Sequence, residues 1–216
     1  MILTRDEFEQ KFNDKSLRIA FIGMSNIGKS HRSQQFSDKF GFEVYGVDDK
    51  MWDLQGFSDW EEASRWMGYP FDEQYEQTQK DYLEMEKNLT LKCSIDDKNI
   101  ILDTTGSVIY LDEEVVDFIK NNFLVIALDA SSSLLKIMKE EFFVKPKTIV
   151  WGDHFEIEDG EHGIDALRRC YPSLLEWRIA KYRDFADVII PGEVSRSSDV
   201  PEDRFFEIIK NSLPKN

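Results

Sequence analysis

The chain is 216 residues long and 41% apolar, with 16 Phe, 7 Tyr and 5 Trp, enough for the core of one large domain and against wholesale disorder. Its 27 basic and 42 acidic residues leave a formal net charge of −15, a field that repels phosphodiester backbones and anionic lipid, so no nucleic-acid or membrane partner is expected. Cys93 and Cys170 lack metal or disulfide spacing, the start is charged from Arg5 onward, and no apolar run nears the ~18 residues of a membrane span, so a cytoplasmic protein is expected, as a monomer or weak dimer.

In chain order, Thr4-Arg5-Asp6-Glu7 has the reciprocal spacing that caps a helix start. Residues 17–22 are the first short apolar run, a buried strand ending at Gly23. Directly after it, Gly23-Met24-Ser25-Asn26-Ile27-Gly28-Lys29-Ser30 matches G-x-x-x-x-G-K-S residue for residue, with a helix expected from about Lys29. The spacing has a physical basis. Glycines let backbone N–H groups turn inward around a phosphate, and the helix N-terminus adds positive potential. Lys29 has the reach for β- and γ-phosphates, and the Ser30 hydroxyl is a Mg²⁺ ligand. Gly23, Ser25, Asn26, Ile27, Gly28, Lys29 and Ser30 are therefore expected to bind nucleotide, with ATP and Mg²⁺ as cofactors. His31 joins them as an early helix residue near the phosphates rather than as a base.

The next apolar run, residues 42–47, leads into Asp48-Asp49. A carboxylate there suits two tasks: orienting an acceptor hydroxyl or a Mg²⁺-bound water, or capping a helix. Ser58-Asp59-Trp60-Glu61 repeats the capping-box pattern, and Tyr75, Tyr82, Met85 and Leu89 make a core-facing stripe on a long helix. Residues 99–102 form a strand ending in Asp103, before Thr104-Thr105-Gly106; this fits a Mg²⁺-supporting carboxylate and a plain turn equally. Residues 123–128 and 187–190 complete five strands, while Pro172 and Pro201 each suit the first position of a helix. Residues 142–163 are the least regular and are expected to be a mobile loop, its acids and histidines solvated rather than metal-bound. Buried strands alternating with helices predict an α/β fold around a parallel sheet covered on both faces.

Together these residues resemble the shikimate kinase family, within the nucleoside-monophosphate-kinase-like P-loop group, over nearly the whole chain. The resemblance implies one domain over residues 1–216: a three-layer P-loop fold with a central five-stranded parallel sheet flanked by helices. It also implies a mobile lid at about 142–163 and an acceptor-side insert at about 52–94. The implied activity is transfer of the γ-phosphoryl group of ATP to a hydroxyl of a small acceptor. Asp48 takes the place of the family's Asp that contacts the acceptor hydroxyls, and Lys145-Pro146 resembles the Arg-Pro of the closing lid. Lys29, Asp48 and Lys145 are then the implied catalytic residues, with Ser30 and Asp103 on the metal. Thr104-Thr105-Gly106 falls at the family's Gly-Gly-Gly turn. Arg178, four residues before Tyr182 and followed by Phe185-Ala186-Asp187-Val188, resembles the Arg that grips the acceptor's carboxylate. Asp48, Gly106 and Arg178 are thus the implied acceptor contacts, and residues 190–198 resemble the adenine loop, with Arg196 as a stacking group.

The departures lie on the acceptor side. The family's Phe-Arg-x-x-Glu appears as Tyr82-Leu83-Glu84-Met85-Glu86, and Leu83 makes no bidentate contact with a carboxylate. Gly46 stands where the family has the first Asp of Asp-x-Asp, and one glycine of the triple-glycine turn remains. Lys80 or Lys87 is a candidate to replace the missing charge, whereas the aromatic segment with Trp60, Trp66, Tyr69 and Phe71 favours a less charged, more apolar acceptor than shikimate. The alternative is a nucleotide-binding regulatory P-loop protein without kinase turnover.

Overall fold

The computed structural model describes residues 2–58, 60–96, 98–144 and 149–215, with Trp60 described by its backbone alone. Strands β1 (Arg18–Ile22), β2 (Glu43–Gly46), β3 (Ile100–Asp103), β4 (Leu124–Asp129) and β5 (Val188–Pro191) form one parallel sheet in the order β2-β3-β1-β4-β5. Successive residues of a strand point to opposite faces, so a strand buried at nearly every position needs cover on both sides. The three central strands β3, β1 and β4 are of that kind, while β2 and β5 at the edges are partly exposed.

Helices supply the cover. In chain order they are α1 (Arg5–Asn13), α2 (Lys29–Phe40), α3 (Val47–Gln55), α4 (Trp60–Met67) and α5 (Tyr75–Thr90). After β3 come α6 (Glu113–Asn122), α7 (Ser132–Val144), α8 (Gly163–Phe185), the short α9 (Gly192–Ser195) and α10 (Glu202–Ser212). Helices α1, α2 and α10 meet the sheet through a cluster of phenylalanines centred on Phe36. Its ring centroid lies 5.3–6.1 Å from those of Phe21, Phe40, Phe42, Phe205 and Phe206. No helix among the described residues is long and apolar enough to cross a membrane.

Local chemistry accounts for most element bounds. The Thr4–Glu7 capping box forms as the spacing predicts, and Gly41 closes α2 in the left-handed conformation. Four details differ from the sequence reading. The carboxylate that answers Ser58 belongs to Glu62, which accepts from both its N–H (2.7 Å) and its hydroxyl (2.8 Å), because α4 begins only at Trp60. Pro201 sits one position before α10 rather than in it. Pro172 lies inside α8 instead of opening a helix. An internal proline costs about 3 kcal/mol, and α8 runs through it because Leu167, Tyr171, Leu174, Leu175 and Ile179 are buried on both sides of that point. Finally, residues 142–144 belong to α7, and the irregular stretch is pinned at Trp151, 1% exposed. Its N–H donates to the Tyr75 hydroxyl (2.9 Å) and to Gln79 Oε1 (3.0 Å).

Strand β1 lies between β3 and β4, so the loops after β1 and β3 open side by side where the strand order reverses, the crevice in which open α/β sheets bind ligands. The scaffold under that crevice is testable. Phe36 is fully buried, and Phe36→Ala is expected to lower the unfolding free energy by about 3–5 kcal/mol, read as a shift in urea midpoint at unchanged slope.

Candidate functional site

The loop from Gly23 to Gly28 takes a shape that needs its glycines. Gly23 (φ +140°) and Gly28 (φ +101°) adopt backbone angles that side chains resist, and a Cβ on Gly23 would stand 2.7 Å from the Leu128 carbonyl oxygen. No side chain caps α2 at Gly28, so its first-turn N–H groups stay available to an anion. Lys29, 7% exposed, is held in the loop by donating to the carbonyls of Gly23 (3.0 Å) and Met24 (3.1 Å). Burial pushes its pKa down, an effect opposed by the charges of Asp103 and Asp48. Ser25, Asn26, Ser30 and His31 are exposed on this surface, while Ile27 is buried beneath it.

Behind the loop stands a residue that the sequence reading missed. Arg32, 0% exposed, uses all five guanidinium donors. Its Nε reaches the Ser195 carbonyl (2.9 Å), Nη1 the Val200 carbonyl (2.8 Å) and Gln35 Oε1 (2.7 Å), and Nη2 the carbonyls of Val194 (2.8 Å) and Ser197 (3.0 Å). The Ser195 hydroxyl completes the tie by donating to the Ile27 carbonyl (2.7 Å). Residues 192–200 are thereby fastened against the phosphate loop, with Arg196 on their outer side 3.5 Å from Glu141.

Three carboxylates gather at the ends of β2 and β3. Asp103 is the last residue of β3, and its Oδ1 is buried without a hydrogen-bond partner among the described residues. Burial raises its pKa, while the Lys29 charge and a hydrogen bond from Ser30 lower it. Asp48 lies in the first turn of α3, whose N-cap is Gly46, so the capping alternative for Asp48 does not hold. Asp49 folds back over Gly46: a Cβ there would meet Asp49 Oδ2 at 2.7 Å. Its charge reaches Asp103.

The turn after β3 is fastened by Glu86 of α5. This carboxylate, 0% exposed, accepts from the Thr105 hydroxyl and from the Ser107 hydroxyl (2.5 Å). Burial raises its pKa to about 7 despite those donors. Gly106 lies against Ser25 and Arg178, and its carbonyl accepts from the Tyr182 hydroxyl (2.5 Å) and from Arg178 Nη1 (3.4 Å). Arg178 Nη2 donates to the Val150 carbonyl (2.5 Å), whereas its Nε is buried without a partner among the described residues. The Arg178 guanidinium lines a cleft of about 280 Å³ together with Ser25 and Asn26 of the loop.

No protein-family model matches the sequence, and no curated protein sequence matches it. Solved structures do. Shikimate kinase from Acinetobacter baumannii, in complex with shikimate, superposes over 94% of this chain and 99% of its own with a TM-score of 0.60 at 18% identity. Shikimate kinase from Aquifex aeolicus does so over 90% and 97% with a TM-score of 0.55 at 19% identity. The chain has the shikimate kinase fold. In it, the expected nucleotide residues 23–31 fall together on one loop and helix start, Asp48, Asp103 and Gly106 face that loop from neighbouring elements, and Arg178 reaches it from α8. Lys145 lies outside the described residues. Leu83 packs against the core, Lys80 pairs with Glu76 (2.7 Å), and Lys87 pairs with Asp112 (2.6 Å) and Glu114 (2.8 Å), so none of the three brings a charge to the site. In the expected loop, His154 packs against Trp177 at a tilted angle (ring centroids 4.6 Å apart) and Glu161 pairs with Arg169.

Glu86 gives this arrangement a pH signature. Its folded pKa, about 7, lies above the ordinary carboxyl value of 4.5, so its contribution to stability is full below about pH 4.5 and is lost as pH rises through about 7. Between those values Glu86→Gln should flatten the fall in unfolding free energy by up to about 1.4 kcal/mol per pH unit relative to the unmodified chain. Urea titrations of both proteins across this range test it; parallel pH profiles would contradict the assignment.

Proposed function

We propose that the chain is an ATP-dependent kinase that passes the γ-phosphoryl group to a hydroxyl of a small acceptor. One observation carries this reading. A buried lysine inside a phosphate-type loop, a carboxylate with an unpartnered oxygen and a second carboxylate, Asp48, converge at the ends of adjacent strands. Loop and α2 N–H groups hold the phosphates, and Lys29 donates to their β and γ oxygens in place of the Gly23 and Met24 carbonyls. Mg²⁺ takes hard oxygen ligands. The Ser30 hydroxyl and Asp103 carboxylate are such ligands, and the orphaned Asp103 Oδ1 is what a cation would satisfy. Mg²⁺ held there supplies charge neutralisation on the phosphates.

Asp48 orients the acceptor hydroxyl and takes its proton late. As that happens the bond from the hydroxyl oxygen to phosphorus forms and the bond from phosphorus to the departing ADP oxygen breaks. Gly106 and Arg178 border the acceptor, Arg196 lies beside the adenine, and residues 142–163, including Lys145, act as a lid over the phosphates. A regulatory nucleotide-binding protein without turnover is the second reading. It is favoured by the engagement of Arg178, Thr105 and Ser107 inside the protein, which leaves few donors for an acceptor.

Lys29→Ala is expected to weaken ATP and ADP binding by about ten- to a hundredfold or more, since it removes charge-assisted hydrogen bonds worth about 1.5–3 kcal/mol each. Asp103→Asn should remove most of the Mg²⁺ dependence of ADP affinity in calorimetry. Unchanged nucleotide affinity in the first variant rejects nucleotide binding at this loop. A coupled ADP-release assay across small alcohols separates the kinase from the regulatory protein.

The lid has its own measurement. Amide exchange in residues 142–163 should slow when ATP is added, and identical exchange with and without nucleotide would leave the segment no closing role.

A further inference from the structure

Asp48 lines a second and smaller pocket of about 50 Å³ that shares no lining residue with the Arg178 cleft. Trp52, Phe57, Trp66, Tyr82 and Met85 give it an aromatic and apolar wall, and among the described residues lining it Asp48 alone carries a charge. No cation lines it among the described residues, and the two lysines that could replace the charge missing at Leu83 are engaged elsewhere. Leu83 packs against the core, and Lys80 and Lys87 form ion pairs on the outer side of α5. Two of the Arg178 nitrogens go to the Gly106 and Val150 carbonyls, and the guanidinium faces the phosphate-loop cleft instead. An anionic acceptor entering this pocket would lose its hydration without gaining a counter-charge. A cationic one would meet a single carboxylate whose charge also acts on Lys29, and would have to shed its hydration against an otherwise mostly apolar wall.

We propose that this pocket selects an uncharged acceptor: a small alcohol that presents its hydroxyl to Asp48 and lays a compact apolar body against Trp52, Trp66 and Met85. The volume agrees with a small body, with room for roughly three or four water-sized groups. The proposal rests on the kinase reading only for the fate of the hydroxyl; selection of a neutral ligand is a property of the pocket itself.

A matched series on one three-carbon skeleton tests it: propane-1,2-diol as the neutral probe, 1-amino-2-propanol as the cationic one and lactate as the anionic one, with shikimate as a larger anion. Binding is read on the full chain with ADP and Mg²⁺, by calorimetry and by the fluorescence of Trp52 and Trp66. The diol is expected to bind at least about tenfold more tightly than lactate or shikimate, with the amino alcohol no tighter than the diol. Met85→Lys, which places a cation on the wall, should raise lactate affinity by about tenfold or more. The ranking in the unmodified chain decides the matter even if that variant does not fold. Lactate or shikimate binding as tightly as the diol, an amino alcohol that binds more tightly than the diol, or a diol that does not bind, overturns the proposal. Phosphoryl transfer is scored separately in the same samples. A bound diol that releases no ADP would count against the kinase reading and leave the pocket assignment standing. Efficient transfer to shikimate would do the reverse.

Discussion

A full positive charge sits 7% exposed at the centre of the phosphate loop, in a chain whose net charge is −15, and the site is arranged around it. Burying an ammonium is costly unless it is hydrogen-bonded and paired. Lys29 is hydrogen-bonded to the carbonyls of Gly23 and Met24, and the charges of Asp103 and Asp48 favour its ammonium form against the cost of burial. Each partner comes from a different element. The carbonyls belong to the loop after β1, Asp103 ends the neighbouring β3, and Asp48 opens α3 after β2. Adjacent parallel strands lie about 4.8 Å apart, so the order β2-β3-β1 alone brings these groups together. The topology is therefore a condition of the electrostatics, and the same convergence leaves Asp103 with an oxygen that no described residue satisfies.

The opposite wall follows a different logic. The turn after β3 carries Thr105 and Ser107 around Gly106, and both hydroxyls are spent on Glu86. Gly106 in turn spends its carbonyl on Tyr182 and Arg178 of α8. One carboxylate and one carbonyl thus lock α5, the turn and α8 into a single unit. Buried polar networks of this kind are costly when broken and rigid when complete. The consequence is a wall whose polar groups face one another. What remains for a ligand on the Asp48 side is aromatic and methionine surface, so rigidity and apolar character arise from the same set of bonds.

These features differ in how far they could be read from the sequence. The loop 23–30 was legible because its chemistry is local: glycines, Lys29 and Ser30 act within eight consecutive positions. The five strands were legible because burial on both faces writes a continuous apolar run, and Asp103 followed from one of them. Arg32 was not legible, since all but one of its acceptors lie at residues 194–200, more than 160 positions away. Nothing in a helix-forming segment marks one arginine as buried. Glu86 stood inside a recognised motif, yet its partners became visible only when the turn after β3 was brought to α5. Pro172 misled because the local cost of an internal proline was weighed without the buried residues that outweigh it.

Gly46 and Asp49 show how a departure at one position can be answered at another. Taken alone, glycine at position 46 removes a carboxylate from the end of β2. In the folded chain the missing side chain leaves room that Asp49 enters, its Oδ2 standing 2.7 Å from where a Cβ on Gly46 would be. A larger residue at 46 would push that flexible carboxylate aside, so Asp49 holds this place because position 46 is glycine. Gly46 pairs with Asp103 across the β2–β3 ladder, and the Asp49 charge reaches Asp103 there. Negative charge is thus kept at the point where the orphaned oxygen lies, although it arrives from the first turn of a helix and not from the strand. A position-by-position comparison counts this as a loss, whereas the electrostatics of the folded site do not, because a field depends on where a charge stands and not on which residue number supplies it.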